Sequence, residues 1–241
     1  MTGITLDALD IRFTEDTTDV MMSFLMIGWI IFVTGILLIL IKLKRGFIFF
    51  KALEIFALFY ASLIVINVFV PDIPAIILAI ALVIARLTLP KNMFIKNLFA
   101  TLGTAGVGAI LGVSLGIVPI LTFLVLLALY DYIAVFKTKH MLTLAEGLKE
   151  KNIAALYDIP TTQRVFQLGT GDLAVSTAVT VSVWIFLSPL AGVMVMSGAL
   201  IGLIGTMSLL VLKKPRGLPA IPLISLGIFI MLGIYLLVFG W

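Results

Sequence analysis

"LLALYDYIAVF", residues 126–136, sets a carboxylate, Asp131, inside the apolar run 117–136. That run is long enough to cross a bilayer, since a helix needs about 20 apolar residues to span about 30 Å of hydrocarbon. An isolated carboxylate at such a depth costs roughly 2.5–3.5 kcal/mol on insertion scales. Some other part of the chain must offset that cost.

Composition places the whole chain in the membrane. Of 241 residues, 62% are hydrophobic and only 12% charged, too little polar surface for a soluble domain. The net charge of +4 therefore describes topology and not nucleic-acid binding. The absence of cysteine excludes disulfides and thiolate chemistry. His140 is the only histidine, which argues against a histidine-rich metal site or a Ser–His–Asp triad. At the membrane edge it reads as an interfacial residue. Residues 1–19 are acidic and polar, and the first apolar run is too long for a signal-peptide core.

The expected fold is an all-α polytopic membrane protein with about eight transmembrane helices, at about 20–41, 47–70, 73–90, 94–115, 117–136, 165–187, 190–212 and 217–239. The breaks carry Pro and Gly: "KLKRG", "PDIP", "PKNMFIKN", "GIVP", "LSPL" and "KKPRG". One membrane domain results. Residues 1–136 form a five-helix part carrying Tyr130 and Asp131, 137–164 a cytoplasmic loop, and 165–241 a three-helix part. The connections alternate between basic and nearly uncharged or acidic, and of sixteen Lys and Arg only Arg12 falls on the non-basic side. The positive-inside rule then puts both termini outside the cytoplasm. Gly108, Gly112 and Gly116, and likewise Gly198 and Gly202, form small helix faces. These suit close packing inside the molecule, with a homo-oligomer interface as the second possibility.

Three carboxylates lie within spans: Glu54, Asp131 and Asp172. Glu54 follows Lys51 by three residues, and that i, i+3 pair near the interface accounts for it. Arg86, one turn from an inner end, can snorkel. The aspartates have no such neighbour on their own spans. Asp131 lies six residues from Lys137 and Asp172 eight from Arg164, which puts both about 9–12 Å from the cytoplasmic ends of consecutive antiparallel helices. Equal depth makes a meeting plausible. Two facing carboxylates can share a proton, after which one acts as base towards water while the other protonates a carbonyl. Gly169 and Gly171 in "LGTGD" permit loosened backbone before Asp172. Pro219 and Pro222 in "RGLPAIPL" remove amide donors and expose carbonyls at a similar depth, an edge that could hold a peptide as a strand.

The combination resembles the presenilin and signal peptide peptidase family of intramembrane aspartyl proteases. Tyr130-Asp131, Gly169-Thr170-Gly171-Asp172 and Pro219-Ala220-Ile221 carry the likeness, with "FTEDT" (Phe13 to Thr17) before the first span. The resemblance implies hydrolysis of peptide bonds within transmembrane helices, with Asp131 and Asp172 catalytic and Pro219, Ala220 and Ile221 shaping the site and receiving substrate. It implies no metal or organic cofactor, single-span or signal-peptide substrates drawn from the bilayer, and no nucleic acid. The family has nine spans, so the eight counted here correspond to its second through ninth. Ile221 replaces the family's leucine in the Pro-Ala-Leu motif. The short 137–164 loop fits a compact prokaryotic homologue in the cell membrane. Within that loop, Met141, Leu142, Leu144, Ala145 and Leu148 form an amphipathic face suited to the inner leaflet, or to a substrate gate. Two other readings use the same acids. A proton- or cation-conducting transporter would explain both aspartates, but not Gly-x-Gly before one of them together with the proline-rich start of the last span. A membrane scaffold would leave the acids unexplained.

Overall fold

The computed structural model describes residues 16–42, 47–90, 92–137, 156–160, 165–213 and 218–240. His140 and the expected amphipathic segment at Met141–Leu148 lie outside these residues, as do Phe13 to Glu15. The described residues form eight α-helices and one hairpin. The helices are α1 (Met21–Lys42), α2 (Phe47–Asn67), α3 (Asp72–Thr88), α4 (Met93–Ser114), α5 (Ile117–Tyr132), α6 (Thr170–Phe186), α7 (Pro189–Lys213) and α8 (Ile221–Phe239). A π-helical turn, Ile133–Lys137, extends α5. Among the described residues, five helices are long and apolar enough to cross a membrane, along Met21–Ile39, Met93–Ser114, Ile117–Lys137, Pro189–Leu212 and Ile221–Phe239. Large side chains such as Trp29 (62% exposed), Phe69 (82%) and Leu237 (88%) point outward, as lipid in place of water requires. This is an integral membrane protein.

Short polar side chains start several helices. Asp19 accepts from the Met21 amide at 2.8 Å, Asn92 from the Phe94 amide at 2.9 Å, and Ser188 from the Ala191 amide at 3.1 Å, each satisfying an N–H with no carbonyl partner in its own helix.

One boundary departs from the expectation. The span expected at 165–187 begins as a helix only at Thr170, because Val165–Gly169 is a strand, β2, paired antiparallel with β1 (Leu156–Pro160). The register sets Leu156 opposite Gly169 and Asp158 opposite Gln167. The end of the expected 137–164 loop is therefore ordered β-structure. "LYDIP" and "VFQLG" are rich in β-formers, and Gly169 and Gly171 weaken helix at their junction with α6.

The chain divides into two compact units. The first gathers the start of α1, the end of α4 from Gly108, α5, α6 from Val175, α7 and α8. Its core contains Leu115, Ile120, Phe123, Leu124, Val179, Val183, Ile224 and Ile228, all almost fully buried. Hydroxyls stitch it together: Ser182 donates to the Leu115 carbonyl at 2.7 Å, Ser23 to that of Pro119 at 2.7 Å, and Ser188 to the Tyr235 hydroxyl at 2.8 Å. The Gly116 amide donates to the Thr17 carbonyl at 2.7 Å, which ties the segment before α1 to the α4–α5 connection.

The glycine faces pack internally. A Cβ on Gly112 would lie 2.7 Å from the Ala178 carbonyl of α6. Gly198 and Gly202 of α7 face Gly227, Leu223 and Ile224 of α8 so closely that a Cβ on Gly198 or Gly227 would collide with the opposing glycine's carbonyl. Backbone cannot retreat as a side chain can. Gly227→Val is expected to destabilise the protein by about 3 kcal/mol through overpacking, seen as a lower unfolding temperature in detergent. An unchanged midpoint would contradict this packing.

The second unit holds the rest of α1, α2, α3, α4 up to Val107, the hairpin and the first turn of α6 to Ala174. Among the described residues, three ion pairs organise it. Glu54 is bonded by Lys51 at 2.7 Å, as its spacing suggests, and also by Arg86 of α3 at 3.1 Å. Arg86 does not snorkel. It is 1% exposed, and its Nη1 donates to the Pro90 carbonyl at 2.8 Å. The nearby carboxylate and carbonyl give the guanidinium better partners than the interface does. The third pair joins Lys96 of α4 to Asp158 of β1 at 2.7 Å.

Candidate active site

Asp131 stands in the last turn of α5, 5% exposed. The helix widens into its π turn, Ile133–Lys137, two residues after it. Such widenings recur at functional sites. The run Pro219-Ala220-Ile221-Pro222 supplies what holds the carboxylate. Proline has no N–H, so Ala220 and Ile221 carry the only main-chain donors of this run. Ala220 caps α8 and Ile221 opens it, where amides lack helical acceptors. The Ile221 N–H donates to Asp131 Oδ2 at 3.3 Å, and the Ala220 amide bonds the same carboxylate. Pro219, Ala220 and Ile221 are all buried. The sequence points to exposed carbonyls at this helix start; the structure engages its amides instead. Tyr130 is half-buried beside Asp131 in the chain.

Asp172 belongs to the other unit. It lies in the first turn of α6 and is half-buried. With the helix starting at Thr170, Asp172 sits where strand gives way to helix, and not two turns inside a span. Gly169 lies against it: a Cβ there would stand 3.2 Å from Asp172 Oδ2, so a side chain would crowd the carboxylate. Gly171 is exposed with open space around its Cα, and Thr170 is half-buried. The three motifs thus form two local arrangements, Asp131 with Ala220 and Ile221, and Asp172 with Gly169.

The hairpin leading to Asp172 has anchors that sequence reasoning passes over. Asn97 of α4 accepts from the Asp158 N–H at 2.9 Å and donates to its carbonyl at 2.8 Å. Tyr157 donates its hydroxyl to Thr104 at 3.2 Å. The signals available were Lys96 at the inner start of α4 and Asp158 in the loop, opposite charges placed at the same membrane face.

Residues 2–240 match the profile of the family described as signal-peptide peptidase, presenilin aspartyl protease. No curated protein sequence matches. Two solved structures of a presenilin family intramembrane aspartate protease, in C222 and P2 crystal forms, are similar to this chain, each with a TM-score of 0.64. They are 29% and 30% identical, over 90% of this chain and 86% and 85% of theirs. The chain belongs to the signal peptide peptidase and presenilin family, and it is an intramembrane aspartyl protease.

Proposed function

We propose that this protease hydrolyses peptide bonds within transmembrane helices of its substrates, with Asp131 and Asp172 as the catalytic pair. The observation that carries the reading is the buried carboxylate of Asp131 held by the amides of Ala220 and Ile221. Burial is tolerated there because donors are fixed in place. A water molecule attacks the scissile carbonyl carbon. The ionised aspartate takes a proton from that water, and the protonated one gives its proton to the carbonyl oxygen, forming a gem-diol. Collapse breaks the C–N bond as the aspartate that took the water's proton passes it to the leaving nitrogen, while the other aspartate regains its proton from a gem-diol hydroxyl.

A peptide bond inside a helix is shielded, so the substrate must unwind first. The strand β2 offers an edge for the unwound segment. Both main-chain groups of Asp158 turn to Asn97, so Asp158 and its partner Gln167 form a pair that does not exchange ladder bonds. By alternation the main-chain groups of Val165, Gln167 and Gly169 face away from β1. A substrate strand added there pairs with backbone that runs into Asp172 three residues later. The basic connections face the cytoplasm of a prokaryotic cell membrane, and substrates are single-span proteins or signal peptides.

The test is reconstitution in vesicles with a single-span reporter, the products located by mass spectrometry. Cleavage within the reporter's membrane segment is expected, and cleavage confined to its exposed ends would overturn the reading. The reaction needs one aspartate ionised and the other protonated, so its rate is expected to fall on both the acid and the alkaline side. A rate unchanged across the acid range counts against the pair.

A further inference from the structure

A two-stranded ribbon has two edges, and nothing intrinsic tells an unwound substrate which one to join. Strands lie about 4.8 Å apart, so segments docked on the two outer edges would sit about 14 Å from each other. Only the edge of β2 runs into the chain carrying Asp172. The other edge is closed by a side chain. The Asn97 amide meets Asp158 as a neighbouring strand would, its oxygen accepting the N–H at 2.9 Å and its nitrogen donating to the carbonyl at 2.8 Å. One residue earlier in α4, Lys96, 4% exposed, holds the Asp158 carboxylate at 2.7 Å. Tyr157 adds a third tie, to Thr104 at 3.2 Å. These contacts use both main-chain groups and the side chain of the central residue of β1, and all come from one helix.

We propose that Lys96 and Asn97 are positioning residues that make the hairpin one-sided, closing the β1 edge and confining the substrate strand to the β2 edge. The inference rests on the strand-addition reading given above. The clamp touches neither substrate nor reacting atoms. It acts through β1, by holding the ribbon at one height against α4 and removing the competing edge. Because a one-residue slip in a strand turns every side chain to the opposite face, a clamp on the ribbon fixes the position of cleavage more than its rate. The pairing of Asn97 with Asp158 serves where lysine or leucine at 97 would not, because a single amide both donates and accepts.

The experiment uses the full chain in vesicles with the single-span reporter and reads product masses. In the unaltered enzyme, proline is first placed at each residue flanking the cleavage position in turn. Pairing to one strand edge predicts that inhibition alternates with a period of two, because alternate residues bond to β2. Asn97→Leu and Lys96→Met are then compared with Asn97→Gln and Lys96→Arg. Asn97→Leu is expected to lower the ratio of main to displaced products by about tenfold, with KM little changed, while Asn97→Gln and Lys96→Arg restore most of the ratio. An alternating scan with an unchanged product ratio in Asn97→Leu and Lys96→Met overturns the clamp alone. So does an equal loss at every cleavage position, which a merely structural role would give. A scan without alternation overturns strand addition, and the clamp with it.

Discussion

Asp131→Asn and Asp172→Asn are each expected to lower reporter cleavage by about 1,000-fold, the scale on which positioned acid–base groups contribute. Asparagine keeps the volume of aspartate and an acceptor oxygen, so the amides of Ala220 and Ile221 retain a partner at position 131. Gly169 leaves the same room beside position 172. Unfolding temperatures should therefore stay close to that of the unaltered protein, and the loss can be read as chemistry. The double replacement is expected to be no worse than either single one. Groups that act as a unit do not contribute additively, since the base without the acid, or the acid without the base, completes no turnover. A double variant far below both singles would mean that the aspartates act independently. Cleavage surviving either substitution would remove that residue from the mechanism.

The helices were legible because hydrocarbon imposes its thickness on sequence. The expected spans at 20–41, 47–70 and 190–212 fall within a few residues of α1, α2 and α7, and proline- or glycine-bearing connections mark the turns. Asp131 and Asp172 stood out for the same reason, as acids in apolar surroundings. The start of α6 was misplaced because apolar content alone does not separate a buried strand from a buried helix. Val165, Phe166 and Leu168 satisfy both patterns, and only pairing with Leu156–Pro160 decides between them. A hairpin could have been suspected, since "LYDIP" and "VFQLG" are two short apolar runs separated by the four residues "TTQR". The amide of Asn97 could not, because its partner lies 61 residues away and nothing local marks an asparagine as a substitute strand. Glu54 and Arg86 were open to the depth argument that matched the aspartates. Each lies near the inner end of its helix, and the helices α2 and α3 are consecutive.

That buried pair supports the second large effect. Glu54→Gln is expected to destabilise the protein by about 3–5 kcal/mol, the cost of removing one partner from a buried ion pair. Arg86 is 1% exposed, and its Nε and Nη2 lie 3.2 and 3.1 Å from Glu54 Oε1. The substitution leaves the guanidinium buried without that carboxylate. Arg86→Met should cost less, because Lys51 remains 2.7 Å from Glu54 and reaches the interface by snorkelling. Combining the two should recover much of the loss, since two neutral side chains need no charge compensation, whereas additive losses would show that the residues do not act as a pair. Thermal unfolding of the four proteins in one detergent measures the coupling. Cleavage in vesicles separates this role from that of the hairpin clamp. The ion pair joins α2 to α3, whereas the clamp joins α4 to β1, so Glu54→Gln should reduce the amount of folded enzyme while leaving the position of cleavage where it was. Displaced products in Glu54→Gln would instead mean that register depends on the stability of the whole unit and not on Lys96 and Asn97.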